Sequence, residues 1–139
     1  MDAFPFHRTE FRRDLTAAAT ARRLHPVILC IEDRASSMAM RKMVLEKSGY
    51  RVVSAASGTE ALAMMRAVRV DLVVSDHYLQ GELGTAIAAQ IKALKPNIPI
   101  LIISGSIDAV AKSEHVDCVV SKADGPTDLL VSIARTLGL

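Results

Sequence analysis

The chain has 139 residues, half of them hydrophobic and 23% charged, which is the composition of one globular domain with a real core. No apolar run approaches the roughly 18 residues of a membrane span, and the N-terminus has no apolar signal core, so a cytoplasmic location off the membrane is expected. The net charge of +2 sits in the first 25 residues, where five arginines face three acids, and the balanced remainder gives no reason to expect nucleic-acid binding.

Residues 1–25 read as an N-terminal arm, distinct from a domain at 26–139. All three phenylalanines, Phe4, Phe6 and Phe11, fall in this arm. Phe11, Leu15 and Ala18 share one side of a helix over about 9–24, so the arm is either disordered or a helix docked on its own domain or on a second copy in a homodimer.

From Pro26 onward, apolar strands alternate with helical patterns. The strands are expected at Val27–Ile31, Arg51–Ser54, Asp71–Ser75, Ile100–Ile103 and Cys118–Ser121. The first, third and fourth are unbroken Val/Ile/Leu runs, as suits strands buried on both faces of a parallel sheet. Five such units predict an α/β fold, a doubly wound five-stranded parallel sheet in the order 2-1-3-4-5. Ser36 or Ser37 is expected to cap a first helix that ends at Gly49, with Met40, Met43 and Val44 inward. Ser57-Gly58-Thr59-Glu60 has the spacing of a capping box. Gly84–Leu94 reads as a helix stopped by Pro96. Little room remains for a helix between Ser104 and Cys118. Pro126 suits the first position of a last helix, with Asp128 near its positive end and Leu129, Leu130, Ile133 and Leu137 as its buried stripe. Cys30 and Cys118 fall in strands and read as buried free thiols rather than a disulfide.

The strand ends carry the chemistry. Glu32 and Asp33 follow the first strand, Asp76 the third, Ser104 the fourth and Lys122 the fifth. Parallel strands bring these ends to one edge, where ligands of open α/β sheets bind. Carboxylates about 5 Å apart repel by about 3 kcal/mol at an effective dielectric near 20, so clustering three calls for a cation. Three acids less Lys122 leave a local charge of −2, which one Mg2+ cancels. A carboxylate so held can attack phosphorus to form an aspartyl phosphate. His77 reads as an exposed loop histidine rather than a base.

Together these residues resemble the receiver domain of two-component response regulators, with a fold like that of the chemotaxis regulators, over about residues 26–139. The resemblance implies that Asp76 is the phosphoacceptor for a sensor histidine kinase or phosphotransfer protein. It implies that Glu32, Asp33, Asp76 and the Tyr78 backbone carbonyl hold Mg2+, Glu32 mainly through water. It implies that Ser104 and Lys122 read the phosphoryl group, and that Gly84 occupies the family's glycine after the acceptor loop. The expected role is therefore signalling rather than enzymatic: a single-domain regulator, or a fragment of a longer protein, that docks to a downstream protein or relays phosphate. Leu79-Gln80 stands where the family usually has Met-Pro, Ala123 where a cis-proline follows the lysine, and Val119 where the signalling aromatic sits. These departures motivate one alternative, a receiver-like module that interacts without phosphorylation. A haloacid-dehalogenase-type phosphatase is the other, but it needs a second Asp where Tyr78 stands.

Overall fold

The computed structural model describes residues 25–106 and 110–139. The expectations for the N-terminal arm, and in part that for the helix between the fourth and fifth sheet strands, lie outside these residues. Five parallel strands form the sheet: β1 (Val27–Ile31), β2 (Arg51–Ala55), β3 (Leu72–Asp76), β6 (Ile100–Ser104) and β7 (Cys118–Ser121). Their order is β2-β1-β3-β6-β7, the expected one. Every residue of β3 and β6 is buried, and all of β1 except Val27. The edge strands β2 and β7 are only partly buried, in keeping with their less continuous apolar runs.

Side chains alternate between the two faces of a strand, and the core divides accordingly. Leu29, Ile31, Val73, Ile100 and Ile102 pack on one face with α2 (Gly58–Ala67) and α3 (Gly84–Leu94). Ile28, Leu72, Val74, Leu101, Ile103 and Val120 pack on the other, with Leu45 of α1 (Ala35–Lys47) and with Leu129 and Ile133 of α4 (Pro126–Leu137). Cys30 falls on the α1 side by the same alternation, and both cysteines are free.

Two helix starts follow the sequence closely. Ser57 caps α2 by accepting from the Glu60 amide at 3.2 Å, while the Glu60 carboxylate accepts from the Ala56 amide at 3.1 Å. Pro126 opens α4 with Asp128 in its first turn. The first helix differs from expectation. Its N-cap is Arg34, with no side-chain cap, so Ser36 and Ser37 lie inside α1. The helix ends at Lys47, and Gly49 turns the chain with φ +96°. Of the three residues expected inward, Val44 is half-buried, while Met40 and Met43 are exposed, and Leu45 is the buried residue.

Between β3 and α3 the chain makes a small antiparallel hairpin, β4 (Tyr78–Leu79) and β5 (Glu82–Leu83), turned at Gly81 with φ +75°. The hairpin was not expected from the sequence. The Glu82 carboxylate accepts from the Gly58 amide at 3.1 and 3.2 Å, tying the hairpin to the positive end of α2. Gly84 donates to the His77 carbonyl at 2.6 Å. A Cβ on Gly84 would run into the Asp76 carbonyl oxygen, so only glycine lets α3 start this close to the end of β3.

Candidate functional site

All five strands run in one direction, so their carboxyl ends form a single rim. Strand order reverses between β1 and β3, which puts Glu32, Asp33 and Asp76 at the crevice of the switch point. Asp76 is the last residue of β3 and pairs with Ile103 of β6, while Ser104 pairs with Ser121, just before Lys122.

The side chains converge unequally. Asp76 and Glu32 are each 3% exposed. The Lys122 ammonium lies 3.6 Å from Asp76 Oδ2, on a side chain that is half exposed. Asp33 is only partly buried and accepts from the Gln80 amide at 2.7 Å, which joins the end of β1 to the loop after Asp76. Ser104 is fully buried. Its hydroxyl accepts from the Ser106 amide at 3.0 Å and donates to the Ser106 carbonyl at 3.1 Å, so it is engaged in its own turn. Tyr78 sits on the hairpin with its ring exposed. No cis peptide bond occurs among the described residues, so Lys122 is held with a trans bond before Ala123.

One residue in this group was missed from the sequence. Arg41 of α1 reaches the acidic pair with a side chain only 13% exposed. Its Nη2 donates to Asp76 Oδ1 at 3.2 Å, and its Nη1 is 3.9 Å from Glu32 Oε1. The signal was available in the spacing. Met38, Arg41 and Leu45 lie three and four residues apart on the inward side of α1, and an arginine in such a stripe needs a buried partner.

His77 also departs from expectation. It is 5% exposed, not an open loop residue. Its amide donates to the Ile103 carbonyl at 3.0 Å, so sheet pairing continues one residue past Asp76 and carries the ring inside. The ring stacks at a tilt on Tyr78, with centroids 4.5 Å apart, and burial lowers its pKa.

Charge at the rim follows burial. Burial, reinforced by neighbouring Asp76, raises the Glu32 carboxyl to about 7. The Gln80 amide holds the Asp33 carboxyl below its ordinary value. Burial pushes the Cys30 thiol up to about 11, against the pull of the Arg41 charge.

Among the described residues, no three His, Cys, Asp or Glu side chains gather closely enough to form a metal cage by themselves. The donor set nevertheless fits Mg2+. It is all oxygen, it is anionic, and Mg2+ keeps several of its waters and takes only one or two carboxylates. Arg41 changes the charge balance. With a second cation beside three acids, all counted as ionised, the formal local charge is −1 rather than the −2 expected from the sequence.

A family model described as the response regulator receiver domain matches residues 28–133. The chain belongs to this family. Among curated relatives, the uncharacterised transcriptional regulatory protein YbdJ of Bacillus subtilis is 32% identical over 114 residues, covering 79% of this chain and 50% of that protein. This receiver chain spans about half or less of the length of the curated relatives it matches first. Among solved structures, the CheY-like receiver domain protein of Methanospirillum hungatei JF-1 aligns with a TM-score of 0.75 at 27% identity, covering 82% of this chain and 94% of that one. The response regulator TrrA of Thermotoga maritima, solved with Mg(2+)-BeF, aligns at 0.74 with 24% identity over 80% of this chain and 98% of that one.

Proposed function

We propose that this receiver domain, taken as residues 26–139, accepts a phosphoryl group on Asp76 from a histidine kinase or phosphotransfer protein. The observation that carries the reading is the buried Asp76 carboxylate at the carboxyl end of β3, with Glu32 beside it and Lys122 Nζ 3.6 Å from its Oδ2. A lone buried carboxylate would be costly, and this one is surrounded by groups that handle charge.

Asp33 and Asp76, with Glu32 through water and the Tyr78 carbonyl, are the groups that would hold Mg2+. Bound there, the ion supplies positive charge to the phosphoryl oxygens. An Asp76 oxygen forms the new P–O bond as the donor's P–N bond breaks. Lys122 stabilises the oxygens that gain charge. Ser104 leaves its turn with Ser106 to bond one of them, and that movement draws the β6 loop inward. The output is docking to a downstream protein or transfer of the phosphoryl group to another carrier.

A second reading keeps the docking and omits the chemistry. The ion pairs on both oxygens of Asp76 favour it, as does Val119 in the place of a movable aromatic. Incubation with acetyl phosphate and Mg2+, followed by intact mass, separates the two. The first reading predicts the gain of one phosphoryl group, lost when EDTA replaces Mg2+ and reduced in Lys122→Ala. No gain, under conditions where a control receiver reacts, supports the second.

A further inference from the structure

The feature that the receiver reading leaves unused is Arg41. It stands in the middle of the inward side of α1, where the sheet face it covers is otherwise apolar. A guanidinium is buried only with a partner, and its partners here are the acceptor Asp76 and Glu32. Nη1 has no hydrogen-bond partner among the described residues, and its nearest ion-pair oxygen, on Glu32, is 3.9 Å away. The side chain therefore makes one short bond, Nη2 to Asp76 Oδ1 at 3.2 Å, and leaves a donor unsatisfied. Lys122 flanks the other oxygen of the same carboxylate. Both oxygens of the acceptor thus face a cation supplied by the chain itself.

We propose that Arg41 is a resident counter-ion of Asp76 that competes with a divalent cation for the acceptor carboxylate and so sets the metal affinity of the site. The proposal rests on the receiver reading of Asp76. A fixed positive charge beside the carboxylates lowers the gain from bringing in a second cation. A carboxylate oxygen already bonded to a guanidinium must give up or share that bond before it can ligate a metal. Arg41 is thus a positioning residue for the acceptor: it keeps the acidic pair tolerable in the metal-free protein, and it raises the divalent concentration at which the site becomes competent.

The test is titration of the full chain with Mg2+ and Mn2+, by calorimetry and by Mn2+ electron paramagnetic resonance, for the unsubstituted protein, Arg41→Met and Arg41→Lys. Thermal melts of each confirm folding. Arg41→Met is expected to bind about tenfold or more tighter, and Arg41→Lys to stay near the unsubstituted protein because its charge is kept. Equal affinity in the unsubstituted and Met proteins overturns the counter-ion role and leaves the receiver reading standing. No divalent binding in any of the three overturns the metal-site reading, and the counter-ion proposal with it. Should Arg41→Met fail to fold, the unsubstituted protein still decides the matter by nuclear magnetic resonance. The Arg41 Nε–H signal is expected to move with the same midpoint as Mg2+ binding, and a signal that stays fixed through saturation overturns the proposal.

Discussion

Glu32 is a carboxyl buried against another carboxyl, and its proton has a measurable consequence. The folded-state value is raised from near 4.5 to about 7, chiefly by burial. Between those two values the folded protein holds a proton that the unfolded chain has lost. The contribution of Glu32 to stability is therefore present below pH 4.5 and is lost as pH rises through about 7. In metal-free buffer, Glu32→Gln should become more stable relative to the unsubstituted protein by about 2 kcal/mol across that window, less than the full shift because Arg41 and water at the rim screen the charge. Denaturant melts at pH 4.5 and 8 check this. A difference that does not change with pH would mean that Glu32 titrates alike in the folded and unfolded chain. The opposite trend is expected of His77, whose lowered pKa removes stability as pH falls, which is why the comparison is made between variants. At this scale the sequence was a partial guide. Glu32, Asp33, Asp76 and Lys122 were visible because each follows an apolar strand. Arg41 left its mark only in the helical stripe of α1, away from the strand ends, and the burial of His77 left none, because one extra sheet hydrogen bond does not show in strand-end spacing.

The elements explain why those residues meet. The helix α3 begins directly above the end of β3 because Gly84 has no side chain to strike the Asp76 carbonyl. Gly84→Ala should cost about 1–3 kcal/mol, since backbone, not a flexible side chain, must give way. Chemical denaturation measures that loss. An unchanged midpoint would show that the start of α3 can shift freely, and then Asp76 is held by something other than this packing. Strands and most helix ends were legible because their signals are local: the Ser57 and Glu60 cap, Pro126 at the start of α4, and Leu94 before Lys95-Pro96. The start of α1 was not, because Arg34 caps it without a side-chain bond while two serines just inside offered a better-looking cap. The β4–β5 hairpin has two residues in each strand, too few for any period to show.

Across the whole molecule, one topological fact places the chemistry. A parallel sheet ordered β2-β1-β3-β6-β7 sends every strand end to the same rim, and reverses direction beside β1 and β3. The doubly wound parallel sheet followed from the apolar runs alternating with helical patterns, and its order was expected as the common one for five-stranded sheets of this kind. What did not follow was the charge state of the rim, since that depends on a contact between Arg41 and Asp76, 35 residues apart in the chain. In the proposed reaction Asp76 is the nucleophile. Borohydride reduction converts an aspartyl phosphate to homoserine, so peptide mapping after treatment with acetyl phosphate, Mg2+ and borohydride reads the acceptor directly. Homoserine is predicted at position 76 and at no other position. Homoserine at 33, phosphate retained on Ser104, or an unaltered Asp76 in protein that has gained a phosphoryl group would each contradict it.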